Sequence, residues 1–197
     1  TSVVVSVKKD RSGQYWLCTW GTGLVKFDLS GEDSKVFQFR DSTAKNDEGF
    51  YVKDLCIDDN NQFFVTFFNG RGNYHGYTVF FDLQSEDYNR LDVKQFSSGY
   101  DDVMKLNIRV AIKIIHWAHQ DKNGNFWLGS YSGPLFIDMK NKKIERITER
   151  GTDPNIQNQA NTGSYCATDD IIWMSTINSG VIAVDINTKV VNFHASD

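Results

Sequence analysis

Apolar residues gather in short runs along this chain, and polar turns separate the runs in an order that returns four times. The stretch 121–148, DKNGNFWLGSYSGPLFIDMKNKKIERIT, holds a turn, an apolar strand, a glycine, a second strand, another turn and a third strand. β-Branched and aromatic residues fill the runs while Gly, Asn, Asp and Ser fill the turns, which predicts β-strands. No sustained 3.6-residue periodicity competes, and only 100–110 has room for one or two helical turns.

The repeated unit is built around one large aromatic residue, which we call the anchor. A glycine follows the anchor at Gly23, Gly133 and Gly180, and then comes an apolar strand that ends near an aspartate. Successive anchors lie roughly 50 residues apart, which is the period of a four-stranded propeller blade. The anchors are Trp16, Phe64, Trp127 and Trp173, the first strands are 3–7, 51–57, 112–118 and 164–167, and the predicted blades are 3–39, 51–95, 112–148 and 164–194.

A twisted four-stranded sheet has two apolar faces and buries neither of them alone. Stacking such sheets radially buries both faces, and each buried anchor contributes about 2–3 kcal/mol of hydrophobic stabilisation. The glycine is expected where a Cβ atom would clash. The sequence therefore predicts an all-β protein with about four four-stranded antiparallel sheets over 1–197 as the blades of a single β-propeller domain.

The Asp- and Asn-rich clusters of the units have two interpretations, an ion or phosphate site and a turn. The clusters 10–13, 58–61 and 121–124 occupy the same place between the first and second strands, and the third lacks the distal glutamate of a calcium-binding helical loop. Asp, Asn and Gly suit tight turns because they bond locally to the backbone and accept positive φ. The turn interpretation is favoured, and GTGL at 21–24 lacks the helix of a phosphate loop.

Composition narrows the class of protein. The 197 residues are 40% hydrophobic and 14% aromatic, with a net charge of −4 and no basic stripe, which argues against a nucleic-acid partner. No apolar run is long enough for a transmembrane helix, so no membrane contact is expected from this segment. The three cysteines, Cys18, Cys56 and Cys166, are far apart in apolar stretches and are predicted to be buried free thiols.

Two stretches carry a family resemblance, VVVSVKKDRSGQYWLCTWGTGLVKFD and IIHWAHQDKNGNFWLGSYSGPLFID. They resemble the two-component regulator propeller repeat, in which an apolar strand precedes D-x-x-G-x-hydrophobic-W-hydrophobic-G-T, then G-L and a strand ending near an aspartate. The resemblance is strong in the first and third units, fair in the fourth and weak in the second. The fourth unit has ATDDI in place of the turn, and the second has Phe64 for the tryptophan.

The resemblance implies a seven-bladed propeller in the periplasmic sensor of a bacterial hybrid two-component system, commonly a glycan sensor of gut Bacteroidetes. The kinase and DNA-binding modules of such a system are not in this chain. The chain would then be a fragment of a larger propeller, although geometry also permits a small closed ring of four blades. A fragment exposes two apolar blade faces, so further blades or another copy of the chain, as a homodimer, are expected partners.

Strand order places the long connections. In a blade whose strands run antiparallel in sequence order, the first and third turns share one end, and the middle loop and the connection to the next blade share the other. The short turns are of the first kind, and the long segments 40–50, 69–76, 97–110 and 149–163 are all of the second kind. They are therefore expected to decorate one rim, where loops carry function on a rigid scaffold.

This rim is predicted to bind a small-molecule or oligosaccharide ligand without a cofactor or metal. Aromatic faces pack on the C–H side of sugars, and Asp, Asn and Arg bond to hydroxyls. The alternative is that Trp20 and Tyr131 only pack the blade ends and that the polar loops are solvated. The candidate ligand-binding residues are Trp20, Arg71, Asn73, Tyr74, His75, Tyr77, Tyr100, Asp101, Asp102 and Tyr131.

Catalytic patterns are weak. His116 and His119 are three apart in a strand, so they are predicted to point to opposite faces and not to share a metal. No G-x-S-x-G motif occurs, and the acids of 101–102 are adjacent in a loop. A non-enzymatic sensing module is favoured over a protein-interaction scaffold, and over a propeller lyase or lactonase.

Overall fold

The structure is a computed structural model, and it describes ten stretches of the chain. These stretches are 2–30, 34–39, 51–58, 60, 62–67, 78–90, 115–130, 133–147, 162–176 and 180–194. They fall into two compact units, Thr1–Leu91 and Asp92–Asp197.

The first unit contains two four-stranded sheets. Sheet 1 is formed by β1 (Val3–Lys9), β2 (Tyr15–Trp20), β3 (Leu24–Phe27) and β4 (Lys35–Phe37). Sheet 2 is formed by β5 (Val52–Ile57), β6 (Gln62–Phe67), β7 (Thr78–Asp82) and β8 (Tyr88–Arg90).

The second unit repeats this organisation. Sheet 3 is formed by β9 (Ile115–Gln120), β10 (Phe126–Ser130), β11 (Gly133–Asp138) and β12 (Lys143–Arg146). Sheet 4 is formed by β13 (Thr162–Ala167), β14 (Ile171–Thr176), β15 (Val181–Asp185) and β16 (Val191–His194).

Within each sheet, every strand pairs antiparallel with the next strand in the chain, so all four sheets have the strand order of a propeller blade. The predicted all-β class and the four four-stranded antiparallel sheets are confirmed. The described stretches hold strands and turns only, and none of them is an apolar helix of membrane-crossing length. The stretch 100–110, which has room for one or two helical turns, lies outside the described residues.

The anchor of sheet 1 packs on sheet 2. Trp16 is fully buried, and its ring meets the edge of Phe63 at a centroid distance of 4.5 Å and an interplanar angle of 89°. Phe37 adds a contact with Phe81 at 5.1 Å. Phe64, the anchor of sheet 2, is fully buried and contacts Phe80 at 5.1 Å. A blade thus buries its anchor against the residue that precedes the next anchor.

The second unit repeats this packing at one anchor and departs from it at the other. Trp127 is fully buried in a core shared with Ile172 and Met174 of sheet 4. Trp173 is 39% exposed, because it lies on the face of sheet 4 that is turned away from that core. The expectation that every anchor is buried between sheets is wrong for this fourth one.

The Asp-rich clusters are turns, as predicted, and in sheets 1 and 3 they also hold the anchor tryptophan. Asp121 Oδ1 accepts hydrogen bonds from the backbone N–H groups of Asn123 and Asn125 at 2.9 and 3.0 Å. Asp121 Oδ2 accepts from Trp127 Nε1 at 3.0 Å. The Asp121 carboxylate therefore closes its turn with one oxygen and orients the anchor indole with the other.

The first unit forms the same bonds. Asp10 accepts from Gln14 N at 2.9 Å and from Trp16 Nε1 at 2.9 Å. Burial raises the pKa of Asp10, but hydrogen bonds from Ser12, Trp16 and Gln14 outweigh burial and leave the pKa below its ordinary value. This pattern shows that the carboxylate is held in its charged form.

Gly23 occurs where the chain turns from β2 to β3. Its φ is +114°, and an added Cβ would lie 2.5 Å from the carbonyl oxygen of Phe37. Its own carbonyl accepts hydrogen bonds from both the N–H and the hydroxyl of Thr19. The predicted steric role of this glycine is confirmed.

Ion pairs join the sheets within each unit. Lys35 of β4 pairs with Glu86 beside sheet 2, and Lys189 of sheet 4 pairs with Glu145 of β12 at 2.6 Å. These two bridges occupy equivalent places with the charges exchanged, since Lys35 and Glu145 both lie in the row of the anchor.

The cysteine prediction holds in part. Cys18 and Cys56 are buried free thiols, whereas Cys166 is a free thiol exposed beside Trp173. Burial raises the pKa of Cys18, and the nearby Asp54 charge raises it further. Cys18 is therefore a packing residue and not a nucleophile.

Replacing Asp121 by Asn should lower the free energy of unfolding by about 1–3 kcal/mol. The carboxylate uses both oxygens as acceptors, and a carboxamide offers only one. Urea unfolding of the two proteins measures the difference. Asp169→Asn is the matched control in the corresponding turn of sheet 4, where the exposed side chain should change stability by less than about 0.5 kcal/mol. Equal losses in both variants would contradict the role of the Asp–Trp bond.

Replacing Gly23 by Ala should destabilise the protein by about 1–3 kcal/mol, because the substitution adds a backbone clash to an unfavourable φ. Gly13→Ala is the control, since its φ is also positive at +90° but its Cβ would meet only the Lys9 side chain, at 3.7 Å. Thermal unfolding should show the larger loss for Gly23→Ala. A loss as large in Gly13→Ala would show that φ alone matters.

Candidate functional site

The two ends of each blade differ. Turns between the first and second strands and between the third and fourth strands lie at one end, which we call the turn end. The other end, the loop end, carries the chain between the second and third strands and the connection to the next sheet. The longest segments between strands all start and finish at loop ends, and they are 38–51, 68–77, 91–114 and 147–161.

Trp20 is the candidate residue that the structure describes. It is the last residue of β2, pairs with Val3 of β1, and is 41% exposed. It also forms a single antiparallel bridge with Tyr51, immediately before β5. Trp20 therefore lies at the loop end of sheet 1, where the chain enters sheet 2, with part of its indole open to solvent.

The other predicted ligand-binding residues lie outside the described residues, so their positions stay predictions. They are Arg71, Asn73, Tyr74, His75, Tyr77, Tyr100, Asp101, Asp102 and Tyr131. Their sequence positions place them between the strand pairs β6 and β7, β8 and β9, and β10 and β11, all of which meet at loop ends.

A feature that sequence reasoning missed recurs in the first strand of every sheet. Each first strand has a break in its pairing with the second strand near its loop end. The residues left out of register are Val5 in β1, Lys53 in β5, His116 in β9 and 163–164 in β13. β-Bulges re-aim side chains at barrel rims and beside active sites. The structure thus gives every blade one irregular position at the same place.

Lys53 is the charged member of this set. Burial lowers the pKa of its ammonium group, and the neighbouring Asp54 charge acts in the opposite direction. Asp54 itself is bound by Lys8 at 3.2 Å and by the Ser6 hydroxyl at 3.0 Å, both from β1. Asp54 therefore shares its charge between two lysines, and Lys53 stands at the bulge as a partly desolvated cation.

Aromatic residues cluster on the first strands of the second unit. Trp117 of β9 stacks on Tyr165 of β13 with a centroid distance of 4.4 Å and an interplanar angle of 27°. The Tyr165 hydroxyl donates to the carbonyl of Ala118 at 3.1 Å, and His119 lies 5.7 Å from the same ring. Trp117 Nε1 is buried and finds no hydrogen-bond acceptor among the described residues.

The described residues hold no group of three or more His, Cys, Asp or Glu side chains that suits a metal ion. His116 is the bulged residue of β9, whereas His119 pairs in register with Trp127. The described loop ends therefore display an exposed indole and a partly buried ammonium group, whereas the stacked rings of Trp117 and Tyr165 belong to the core between sheets 3 and 4. In proteins, an exposed indole and an ammonium group are common contacts for ligands, through stacking and hydrogen bonds.

Sequence reasoning missed the bulges because one extra residue in a strand leaves the apolar pattern almost unchanged. The first strands mix apolar and polar residues on both faces, so the clean alternation that would reveal a shift in register is absent. The only sequence signal is a charged residue inside an apolar first strand, as Lys53 is in YVKDLCI.

No family model matches the chain, and no curated protein does either. Solved structures do match. The extracellular domain of a hybrid two-component system protein from B. thetaiotaomicron superposes with a TM-score of 0.65 at 14% identity, over 98% of this chain and 24% of that chain. PorZ, a surface component of the type-IX secretion system of Porphyromonas gingivalis, gives 0.68 at 16% identity, over 95% of this chain and 26% of that chain.

A gluconolactonase from Xanthomonas campestris gives a TM-score of 0.65 at 9% identity, over 96% of this chain and 60% of that chain. These TM-scores show a shared fold, that of β-propeller blades, and at such low identities the likeness shows the fold alone. The chain spans about a quarter of the length of the first two proteins. The predicted resemblance to two-component sensor domains therefore has a structural counterpart, since one of these domains shares the fold.

The lowered pKa of Lys53 predicts a specific alkaline effect. At a pH between the lowered pKa and the ordinary value of 10.5, the Lys53 ammonium group stays protonated in the unfolded chain. In the folded chain it has begun to lose its proton. The stability of the wild type relative to Lys53→Met should therefore rise as pH increases through the lowered pKa towards that value. Urea unfolding of both proteins across this range measures the difference. A difference that is independent of pH would show that the ammonium group is fully solvated.

Proposed function

We propose that the chain is a non-enzymatic ligand-sensing module, belonging to the periplasmic sensor propeller of a hybrid two-component signalling system. Its ligand is an oligosaccharide or another glycan-derived molecule. The observation that supports this proposal is the bulge in the first strand of all four sheets, always near the loop end. The bulges recur at the loop end, which also carries the long connections. This position favours a role in ligand recognition over a role in packing.

The chemistry of the loop ends suits a sugar. The exposed indole of Trp20 offers an apolar plane to the C–H face of a pyranose ring. Lys53 supplies a cation whose partial burial strengthens its bonds to hydroxyl or carboxylate oxygens. The predicted residues of the connecting segments extend this set with further aromatic and hydrogen-bonding groups. They are Arg71, Asn73, Tyr74, His75, Tyr77, Tyr100, Asp101, Asp102 and Tyr131.

The periplasmic location and the signalling role are inferred from the resemblance of the repeats and from the shared fold of an extracellular domain of a hybrid two-component system. In this proposal the kinase belongs to another part of the parent protein. Ligand binding by the blades would supply the energy that shifts the signalling equilibrium, because a ligand shifts states only through its differential affinity.

Two other functions remain as alternatives, a protein-interaction scaffold and a propeller enzyme such as a lactonase or lyase. The fold shared with a gluconolactonase favours the second of these. A lactonase would hydrolyse a lactone to its hydroxy acid, and a lyase would cleave a glycan by elimination, whereas a sensing module would bind a sugar and leave it unchanged. Product analysis after incubation with gluconolactone, and with a uronate-containing oligosaccharide, separates catalysis from sensing directly.

A thermal-shift screen with purified neutral and uronate-containing oligosaccharides tests the sensing function. A ligand at a hundred times its Kd should stabilise the wild type by about 2.7 kcal/mol and raise its Tm. Trp20→Ala should weaken binding about threefold to tenfold, through loss of the stacking plane. Leu29→Ala is the control, because Leu29 is 74% exposed at the turn end of the same sheet and should leave affinity unchanged.

The screen gives distinct readings for the alternatives. No shift with any oligosaccharide would reject glycan sensing by this chain. A shift that Trp20→Ala and Leu29→Ala retain equally would place the ligand away from the loop end of sheet 1. Consumption of a lactone would support the enzyme.

A further inference from the structure

The apolar contacts between sheets are alike in the two units. In each unit a buried tryptophan anchor packs on the next sheet, beside the apolar residue that directly precedes the anchor of that sheet. This residue is Phe63 for Trp16 and Ile172 for Trp127. Hydrophobic contact is non-directional, and repeated elements of similar composition are prone to misassembly and domain swapping. Charged contacts discriminate between neighbours more sharply, because two charges either match or repel.

The last strand of the first sheet in each unit carries a charged residue in the row of the anchor. In sheet 1 this residue is Lys35, which lies in one row with Trp16 across the strands. In sheet 3 it is Glu145, which lies in one row with Trp127 in the same way. The two residues therefore occupy equivalent places on the face that meets the next sheet, and they carry opposite charges.

The partner of each charge lies in the turn between the third and fourth strands of the next sheet. Glu86 follows Asp82 by four residues and Lys189 follows Asp185 by four, and their φ values are 59° and 60°. Asp82 accepts hydrogen bonds from two backbone N–H groups of its turn at 2.8 and 3.1 Å, and Asp185 does so at 3.0 and 2.8 Å. Both turns thus hold a charged residue in the same backbone conformation.

The contacts of the four charged residues are close. Lys35 donates to Glu86, and Lys189 donates to Glu145 at 2.6 Å. The Lys189 ammonium also lies 3.8 Å from the ring centroid of Phe136, which pairs with Glu145 in the row of the anchor. Burial raises the pKa of Glu145, but hydrogen bonds from lysines outweigh burial and leave the pKa below its ordinary value. This second pair is therefore charged at neutral pH.

We propose that these two ion pairs select which sheets become neighbours during folding. If sheet 1 packed on sheet 4, Lys35 would meet Lys189, and if sheet 3 packed on sheet 2, Glu145 would meet Glu86. An exposed ion pair shifts an equilibrium by about twofold to fivefold, and the exchange of neighbours replaces two attractions by two repulsions. The charges therefore disfavour exchange, within one chain or between two copies, by about tenfold to a hundredfold. This role is independent of any ligand.

The double variant Lys35→Glu/Glu86→Lys tests the proposal, because it keeps an attractive pair in each unit but makes the two units alike. Lysine already holds the turn position at Lys189, so the second substitution suits the positive φ. The urea midpoint of the double variant should equal that of the wild type, whereas Lys35→Glu alone should lower it. On refolding by dilution at high protein concentration, the share of exchanged oligomer should rise about fivefold in the double variant.

A fourfold variant is the matched control. Adding Glu145→Lys and Lys189→Glu to the double variant makes the two units different again, so this protein should refold as the wild type does. The wild type, the double variant and the fourfold variant have the same composition and net charge. Salt at 1 M should remove the difference between them, because the Debye length falls to about 3 Å.

Size-exclusion chromatography of the refolded proteins decides the outcome. A double variant that refolds to monomer as fully as the wild type, or a fourfold variant that forms as much oligomer as the double variant, would overturn the proposal. A midpoint that Lys35→Glu leaves unchanged, or one that the double variant fails to restore, would overturn it as well, because the ion pair would then contribute nothing to the contact between sheets.

Discussion

The indole of Trp16 is held from two directions, and the packing of the first unit depends on both. Its ring presses on the edge of Phe63 in the next sheet, and its Nε1 donates to a carboxylate six residues earlier in the chain. The first contact buries apolar area, and the second fixes where that area lies. Trp127 repeats the bond with Asp121. A short turn therefore sets the orientation of a large side chain, and this side chain sets the contact between two sheets.

This coupling explains why the fold could be read from the sequence. The turn residues, the anchor and the glycine that follows are constrained by one small geometry, so their spacing recurs with little variation. Gly23 is required by a positive φ and by the closeness of Phe37, and both constraints leave a visible glycine. The strand order follows from the turns, since each is short enough to join only neighbouring antiparallel strands.

Other features of the structure have weaker signals in the sequence. The exposure of Trp173 and Cys166 depends on whether another sheet covers them, and this is not encoded at those positions. A tryptophan at this position of the repeat is predicted to be an anchor whether or not another sheet covers its face. The Asp–Trp bond was also missed, because six residues separate its partners and they meet only through the curvature of the turn. Apart from Trp20, the candidate binding residues lie on connecting segments, whose composition indicates chemistry without fixing geometry.

The bulges release a residue of each first strand from cross-strand pairing, while the rest of the strand keeps its register. A residue in register packs against its partner on the neighbouring strand and against side chains of the adjacent sheet, so its substitution disturbs both contacts. Lys53 and His116 stand outside this double requirement, because the strand resumes its register immediately after them. Their side chains answer to the packing around them but not to a partner on the neighbouring strand. Recognition could therefore be altered near the loop end of each sheet without displacing a cross-strand pair.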